Sequence, residues 1–243
     1  MVKVAAARTK ARGRAHLASR SVGVQLGEFM GAGLRLEASA YALDARKAVA
    51  ELQACPFPIK ALLGDAGMCH KAFNAFRFAR MYVGRDKGIP FLSSSDIIGF
   101  RPERGKFLSL KTDRIGDLQI KPWEVLLSCS GTIGNVSLAS PRISGWAVSQ
   151  HVIRITAPDR YTAGYVTAFL RSRWGRPQLT GLVYGSVVQH IEPVHLQQVV
   201  IPDLPHVRRN AIGRAFVDAA LKRDEANDKL EAADALITES AVH

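Results

Sequence analysis

Long apolar runs, paired cysteines and acidic side chains are all scarce in this chain of 243 residues. No stretch is apolar enough to span a bilayer, and the first thirty residues, though basic, lack the continuous apolar core of a signal peptide. Membrane insertion is not expected, and a cytoplasmic location is. The three cysteines, Cys55, Cys69 and Cys129, form no Cys-x-x-Cys pair and leave one over under any single disulfide, which fits a reducing compartment. The deficit of acid is the most informative shortage. Against 33 Lys and Arg stand 21 Asp and Glu, a formal net charge of +12 that favours a polyanion, either nucleic acid or an anionic membrane surface. A hydrophobic share of 47% is ordinary for a globular protein with a proper core, in one large or two small domains.

Catalytic signatures are missing too. There is no Walker A loop, no Gly-x-Gly-x-x-Gly after a strand, no Gly-x-Ser-x-Gly elbow, no His-Glu-x-x-His and no Asn-Pro-Pro-aromatic tetrapeptide. Glu103 and Lys106 lack the spacing of the Glu-x-Lys end of a common nuclease motif. Cys69-His70 and His190 with His195 match no standard zinc spacing, so they are read as structural or solvent-exposed. On a regular strand Ser149 and His151 fall on opposite faces, which argues against a nucleophile and its base. No catalytic residue, no metal ligand and no cofactor is expected in this chain.

Basic segments dominate what is present. Residues 1 to 28 carry Lys3, Arg8, Lys10, Arg12, Arg14 and Arg20 with no acid before Glu28, as either a nucleic-acid-binding arm or a solvated terminus. Helix formers fill Leu34 to Gln53, and Pro56 and Pro58 end that helix. Between Lys71 and Arg114 ten basic side chains face four acidic ones, with seven Phe and Tyr interleaved, a mixture suited to neutralising phosphates. Arg160, Arg171, Arg173 and Arg176 extend this trend, with no acid from 160 to 190.

Gly88 to Leu92 is predicted as a strand followed by the polar loop Ser93 to Asp96, and Val125 to Leu127 as a mostly buried strand closed by the turn Ser130 to Asn135, where Gly131 and Gly134 permit the reversal. The alternation of Val148 to Ile155 predicts a half-buried strand with His151, Ile153 and Ile155 on one face and Gln150 and Arg154 on a polar face. Gly164 to Arg173 is predicted helical and Leu196 to Ile201 a further strand. Ile212, Phe216, Ala219, Arg223, Ala226, Leu230, Ala233 and Ile237 then follow the four-three rhythm of a coiled-coil-like helix, with Arg223 the one misfit. That helix carries seven acidic residues against four basic ones, so it is read as facing a partner or setting a spacing, not as facing DNA.

Gly88-Ile89-Pro90-Phe91-Leu92 with Asp96-Ile97, then Glu124 to Gly134 with its Ser-Gly-Thr-Ile-Gly turn, resembles the target recognition domain of type I restriction-modification specificity subunits. Ser149 to Ile155, and Gly185 to Ile191 followed by Leu196 and Ile201-Pro202, are similar to later segments of that domain, and the resemblance covers roughly residues 55 to 240. It implies an α/β (α+β) fold with a twisted β-sheet recognition domain followed by a long coiled-coil-like spacer helix. The corresponding division is a basic arm and leader helix at 1–54, the recognition domain at 55–205 and a spacer or dimerisation helix at 206–243.

It further implies a non-catalytic subunit that binds a half-site of duplex DNA and docks methyltransferase subunits, and in some systems a restriction or translocase subunit. S-adenosylmethionine would belong to the methyltransferase partner. Members usually carry two recognition domains and two spacer helices where this sequence has one of each, implying a half-subunit that forms a homodimer through the C-terminal helix or a piece of a longer protein. The Gln usual after Ile-Pro is also absent from His206 to Ile212. The alternatives are a recognition domain detached from a fused methyltransferase or nuclease, and a basic nucleic-acid-binding protein without sequence preference.

On this reading the residues at or near the bases are Ser94, Ser95, Arg101, Arg104, Tyr184, Ser186 and Gln189, while Lys106, Ser130, Thr132 and Arg173 contact phosphates. Ile212, Phe216, Ala219, Ala226, Leu230 and Ile237 form the partner or dimer face of the helix.

Overall fold

The β8 strand, Val125–Ser128, is buried at all four positions, and its alternating side chains serve two cores. Val125 and Leu127 join one apolar cluster and Leu126 another, which is why the sequence reads as an unbroken apolar run and not as an alternation. The computed structural model describes residues 2–5, 21–24, 42–101, 105–184 and 189–242. The fold is mixed α+β, with twisted, largely antiparallel sheets and a long C-terminal helix.

In one four-stranded sheet β11 (Val152–Thr156) lies between β4 (Lys71–Asn74) and β8, and β8 continues to β9 (Val136–Leu138), every pair antiparallel. The second sheet runs β10 (Ala147–Val148), β6 (Gly88–Leu92), β7 (Phe107–Ser109), β5 (Tyr82–Val83), and within it only β10 and β6 are parallel. A short pair, β3 (Ile59–Ala61) with β12 (Val200–Pro202), brings two distant stretches together just ahead of the last helix. Val2–Ala5 (β1) and Ser21–Val24 (β2) also pair antiparallel.

The helices among the described residues are α1 (Leu43–Gln53), α2 (Ile115–Leu118), α3 (Arg160–Arg171), α4 (Gly175–Gly181) and α5 (His206–Val242). Asp159 caps α3, accepting from the N–H groups of Tyr161 at 2.8 Å and Thr162 at 3.0 Å and from the Thr162 hydroxyl at 2.6 Å. Burial pushes its carboxyl up, but those three donors and Arg209 outweigh burial and hold it below the usual aspartate range. Helix α3 crosses α5 at Gly164 and Gly213, where a Cβ on Gly164 would strike the Gly213 carbonyl and one on Gly213 the Tyr161 carbonyl.

Three expectations are corrected. The predicted strand Val148 to Ile155 is two short strands interrupted by a turn at Gln150-His151. Arg154 is not on a polar face: it lies buried on β11, paired with Glu124. Leu196 to Ile201 is a 3-10 turn over Pro193–Gln198 followed by β12. The predicted strands Gly88 to Leu92 and Val125 to Leu127 are β6 and most of β8. The predicted leader helix is described from Leu43 onward, and its first part lies outside the described residues.

Helix α5 is a single helix of 37 residues, about 55 Å long at 1.5 Å per residue. The stripe it turns to the rest of the chain is one residue ahead of the predicted heptad. Gly213, Val217, Ala220, Asp224, Asn227, Glu231 and Asp234 keep the same four-three spacing. Val217 and Ala220 are buried apolar residues, Asp224 accepts from the Ser140 hydroxyl at 2.7 Å, and Asn227 donates to the Phe100 carbonyl at 2.9 Å. Arg142 pairs with Asp228 and Glu231, and Arg101 with Asp234. The far half of this contact is polar, so an apolar pattern alone does not mark it. Ile212, Leu230 and Ile237 of the predicted stripe are exposed, as is Leu236.

Candidate nucleic-acid interface

The turn Ser130 to Asn135 projects from the end of β8, with Gly131 at φ +73° and Gly134 at φ +83°, conformations that favour glycine. It is tied down internally: the Ser128 hydroxyl donates to the Thr132 carbonyl at 2.7 Å, and the Gly134 N–H to the Ser128 carbonyl at 3.1 Å. Beside it the turn 149–152 enters β11, closed by the Val152 N–H on the Ser149 carbonyl at 3.1 Å. The third component is the stretch from Tyr184 to His195, where Tyr184 and His190 pair antiparallel and His190 bridges to Ser130.

These three segments gather imidazole and phenol rings. The Ser130 hydroxyl lies 2.6 Å from His151 Nδ1. The His151 and His190 rings meet edge to face with centroids 6.2 Å apart, Tyr184 lies 6.4 Å from His190, and Tyr184 lies 5.1 Å from His195. The Tyr184 hydroxyl donates to Glu192, and the Glu192 N–H donates to His195 Nδ1 at 3.2 Å. Burial, then the charge of Arg80, then His190, pushes the His151 pKa below its ordinary value, so this ring is neutral at pH 7.

Arg80 lies across the 149–152 turn, donating from Nη2 to the Ser149 hydroxyl at 3.2 Å and to Gln150 Oε1 at 3.0 Å, with its guanidinium 5.6 Å from the Phe91 ring centroid. Asn74 Nδ2 holds the Gln150 carbonyl at 2.9 Å. Arg77, Arg80, Arg85, Lys87, Lys106, Lys111 and Arg114 are all exposed on the segments that contain β5, β6 and β7. Of these, Arg114 is paired with Asp117, its Nε donating at 2.7 Å; the other exposed cations, next to a turn with fixed polar side chains, can neutralise phosphates and aim hydrogen bonds at a nucleic acid.

The predicted contact residues do not form one set. Ser94 and Ser95 lie in the loop after β6, and the Ser95 hydroxyl is bonded within that loop to Ser93 and Asp96. Arg101 pairs with Asp234 of α5 at 2.6 Å. Lys106 is exposed, 5.8 Å from the Tyr82 ring centroid. Ser130 is 6% exposed and bonded to His151, whereas Thr132 is exposed on the same turn. Tyr184 belongs to the ring cluster and Gln189 is exposed beside it.

Arg173 sits elsewhere, 3.3 Å from Glu51 and over the Trp174 ring at 4.4 Å, on the rim of an apolar groove of about 470 Å³ lined by Leu52, Phe57, Phe169, Leu204 and Ile212. Arg104 and Ser186 lie outside the described residues. Arg80, Gln150 and His151 were not among the expected contacts. Their signal is long-range, because Arg80 meets the turn across seventy residues and no local pattern marks that meeting.

Among the described residues no three His, Cys, Asp or Glu are placed to hold a metal ion, and no helix is long and apolar enough to cross a membrane. No family model matches this sequence, and neither does any curated protein. Solved structures do resemble it. The HsdS subunit from Thermoanaerobacter tengcongensis is 19% identical with a TM-score of 0.49, over 83% of this chain and 48% of that one. A chain from a study of complex assembly and conformational transition of the type I R-M system is 17% identical with a TM-score of 0.44, over 88% and 53%. The S subunit of a type I restriction-modification system from M. genitalium is 15% identical with a TM-score of 0.37, over 64% and 40%. The chain spans about half the length of the solved structures it matches.

Proposed function

We propose that this chain is a DNA sequence-recognition subunit of a type I restriction-modification system, in which residues 55–205 read a half-site of duplex DNA and α5 meets partner subunits. The observation that carries it is the exposed, basic surface of the β5–β6–β7 segments adjoining a rigid polar turn on β11. Cations there supply affinity, and side chains held in one geometry supply discrimination. The Ser-Gly-Thr-Ile-Gly turn and its neighbouring segments, resembling the recognition domains of that family, name the system. Methylation chemistry and S-adenosylmethionine then belong to a methyltransferase subunit, with a restriction or translocase subunit as a further partner, and the assembly works in the cytoplasm.

Helix α5 favours this reading over a free-standing DNA binder. It exposes Leu230, Leu236 and Ile237 near its C-terminal end, with Ile212 far from them at the apolar groove, and a partner helix would cover these side chains. Its first half is basic, with Arg208, Arg209, Arg214, Lys222 and Arg223, and its second half acidic, with Asp224, Glu225, Asp228, Glu231, Asp234 and Glu239. Asp224, Asp228, Glu231 and Asp234 are already engaged by Ser140, Arg142 and Arg101 of this chain, so an antiparallel pairing with a like helix, from a second copy or a second repeat, rests chiefly on the exposed apolar positions.

Competition binding at fixed salt tests the proposal. The chain, alone and with a type I methyltransferase subunit, should prefer one family of duplexes by about 1000-fold or more over random DNA. Equal affinity for every duplex, with one common salt slope, would overturn it.

A further inference from the structure

We infer that the turn 149–152, with Gln150 and His151 at its tip and Arg80 laid across it, is the element that reads the acceptor edge of a guanine in the duplex. This rests on the DNA-recognition reading above and adds which residues discriminate and for what. An exposed arginine ordinarily samples many rotamers, and its ordering on binding costs free energy. Here the guanidinium is fixed beforehand by the Ser149 hydroxyl, Gln150 Oε1 and the Phe91 ring. The turn beneath it is fixed as well. Asn74 holds the Gln150 carbonyl at 2.9 Å, the His151 N–H donates to the Ser149 hydroxyl at 3.2 Å, and His151 Nδ1 meets Ser130 at 2.6 Å.

The arrangement also sorts donors from acceptors. Because Gln150 turns its carbonyl oxygen to Arg80, its amide nitrogen carries the outward hydrogens. Arg80 spends only Nη2 on the protein, and no acceptor for its Nε and Nη1 or for Gln150 Nε2 is found among the described residues. The free groups of this pair are therefore all donors. Two partners in duplex DNA match them: the O6 and N7 acceptors of guanine in the major groove, and the phosphate oxygens. Both present two acceptors to a pair of donors, and guanine is favoured because Arg80 and Gln150 are held in one geometry, whereas a phosphate is served by the many less ordered cations nearby.

The test uses the full chain on a randomised duplex pool, and then on its preferred duplex with each guanine replaced in turn by 7-deazaguanine, which lacks N7. Wild-type protein should lose on the order of tenfold or more in affinity at one 7-deazaguanine position and be little affected at the others. Arg80→Ala and Gln150→Ala should each lose the preference for guanine at that position, show no further loss with 7-deazaguanine there, and keep the thermal melting behaviour of the wild type. Weaker binding to all duplexes alike, with the salt slope reduced by about one, would make the pair a phosphate clamp and overturn the inference. Unchanged preference in both variants, or no sensitive 7-deazaguanine position in the wild type, would overturn it equally. A wild-type chain with no sequence preference at all would instead overturn the recognition function, and this inference with it. The 7-deazaguanine scan on wild-type protein needs no variant, so a substitution that disturbs the turn cannot obscure the answer.

Discussion

Arg154 on β11 and Glu124, the residue just before β8, form a buried, two-pronged ion pair, with Nε to Oε2 at 2.8 Å and Nη2 to Oε1 at 2.9 Å. Arg154 also donates to the carbonyls of Asp117 at 2.9 Å and Gln119 at 2.6 Å, and Glu124 accepts from the Lys121 N–H at 3.0 Å. The pair thus ties α2 and the approach to β8 to the middle of the sheet. Removing one partner leaves the other charge buried. Glu124→Leu or Arg154→Met alone should cost about 3–5 kcal/mol by chemical denaturation. The double variant should recover part of that loss, but not all, because two carbonyls lose their donor. Additive losses would show that the two residues do not act as a pair.

The Gly164–Gly213 crossing reverses a familiar sign. Replacing glycine by alanine inside a helix ordinarily stabilises by about 1 kcal/mol. At Gly213 the new methyl group would meet the Tyr161 backbone, which cannot move without shifting α3. Gly213→Ala should therefore destabilise by about 1–3 kcal/mol and loosen α5 from the sheets. Proteolysis within α5 would rise with the loss of stability. A variant as stable as the wild type would mean the helices cross less closely.

Antiparallel pairing of α5 is open to a chemical test. Ile212→Cys and Ile237→Cys sit near opposite ends of its exposed apolar positions. Mixed variants, each with one introduced cysteine in a Cys55→Ser background that leaves only the buried Cys69 and Cys129, should oxidise to the 212–237 heterodimer in preference to either homodimer, and Leu230→Glu with Ile237→Glu should shift sedimentation toward the monomer. Preferential 212–212 linkage would mean a parallel pairing. Sedimentation as a monomer at all concentrations, with no cross-link, would assign the stripe to a different subunit.

His151 makes stability depend on pH. Its folded-state pKa lies below the ordinary histidine value, first through burial and then through Arg80 and His190. As pH falls below about 6.5 the unfolded chain takes up this proton before the folded one does, so stability present above that pH is lost on acidification through the lower folded value. Melting temperature should fall over that interval in the wild type and less steeply in His151→Gln, which keeps a polar side chain beside Ser130. Parallel profiles for the two proteins would remove His151 as the cause.

Several elements were legible because their causes are local. Gly88 to Leu92 and Val125 to Leu127 are short runs bounded by turn residues, and they are strands. The apolar run at β8 also announced burial on both faces, and Gly131 and Gly134 occupy the left-handed conformations their turn requires. The strand expected from Val148 to Ile155 failed because alternation does not reveal a turn between two strands belonging to different sheets. Arg154 was misplaced for a related reason: a charged residue reads as solvent-facing until its carboxylate partner, thirty positions away, is known.

The sequence by itself determined the excess of cations, the α+β alternation of elements, the glycine turn and the heptad rhythm of the last helix, since composition, backbone preference and periodicity are properties of neighbouring residues. Only the tertiary structure decided which stripe of that helix faces inward, that Ser130 spends its hydroxyl on His151, and that Arg80 is fixed over Gln150. Each of these depends on strand register and on the rotation of a helix about its axis. A shift of one residue turns α5 by about 100°, and the choice between adjacent stripes lies with Ser140, Arg142 and the Phe100 carbonyl, whose positions are set by the sheets and not by α5.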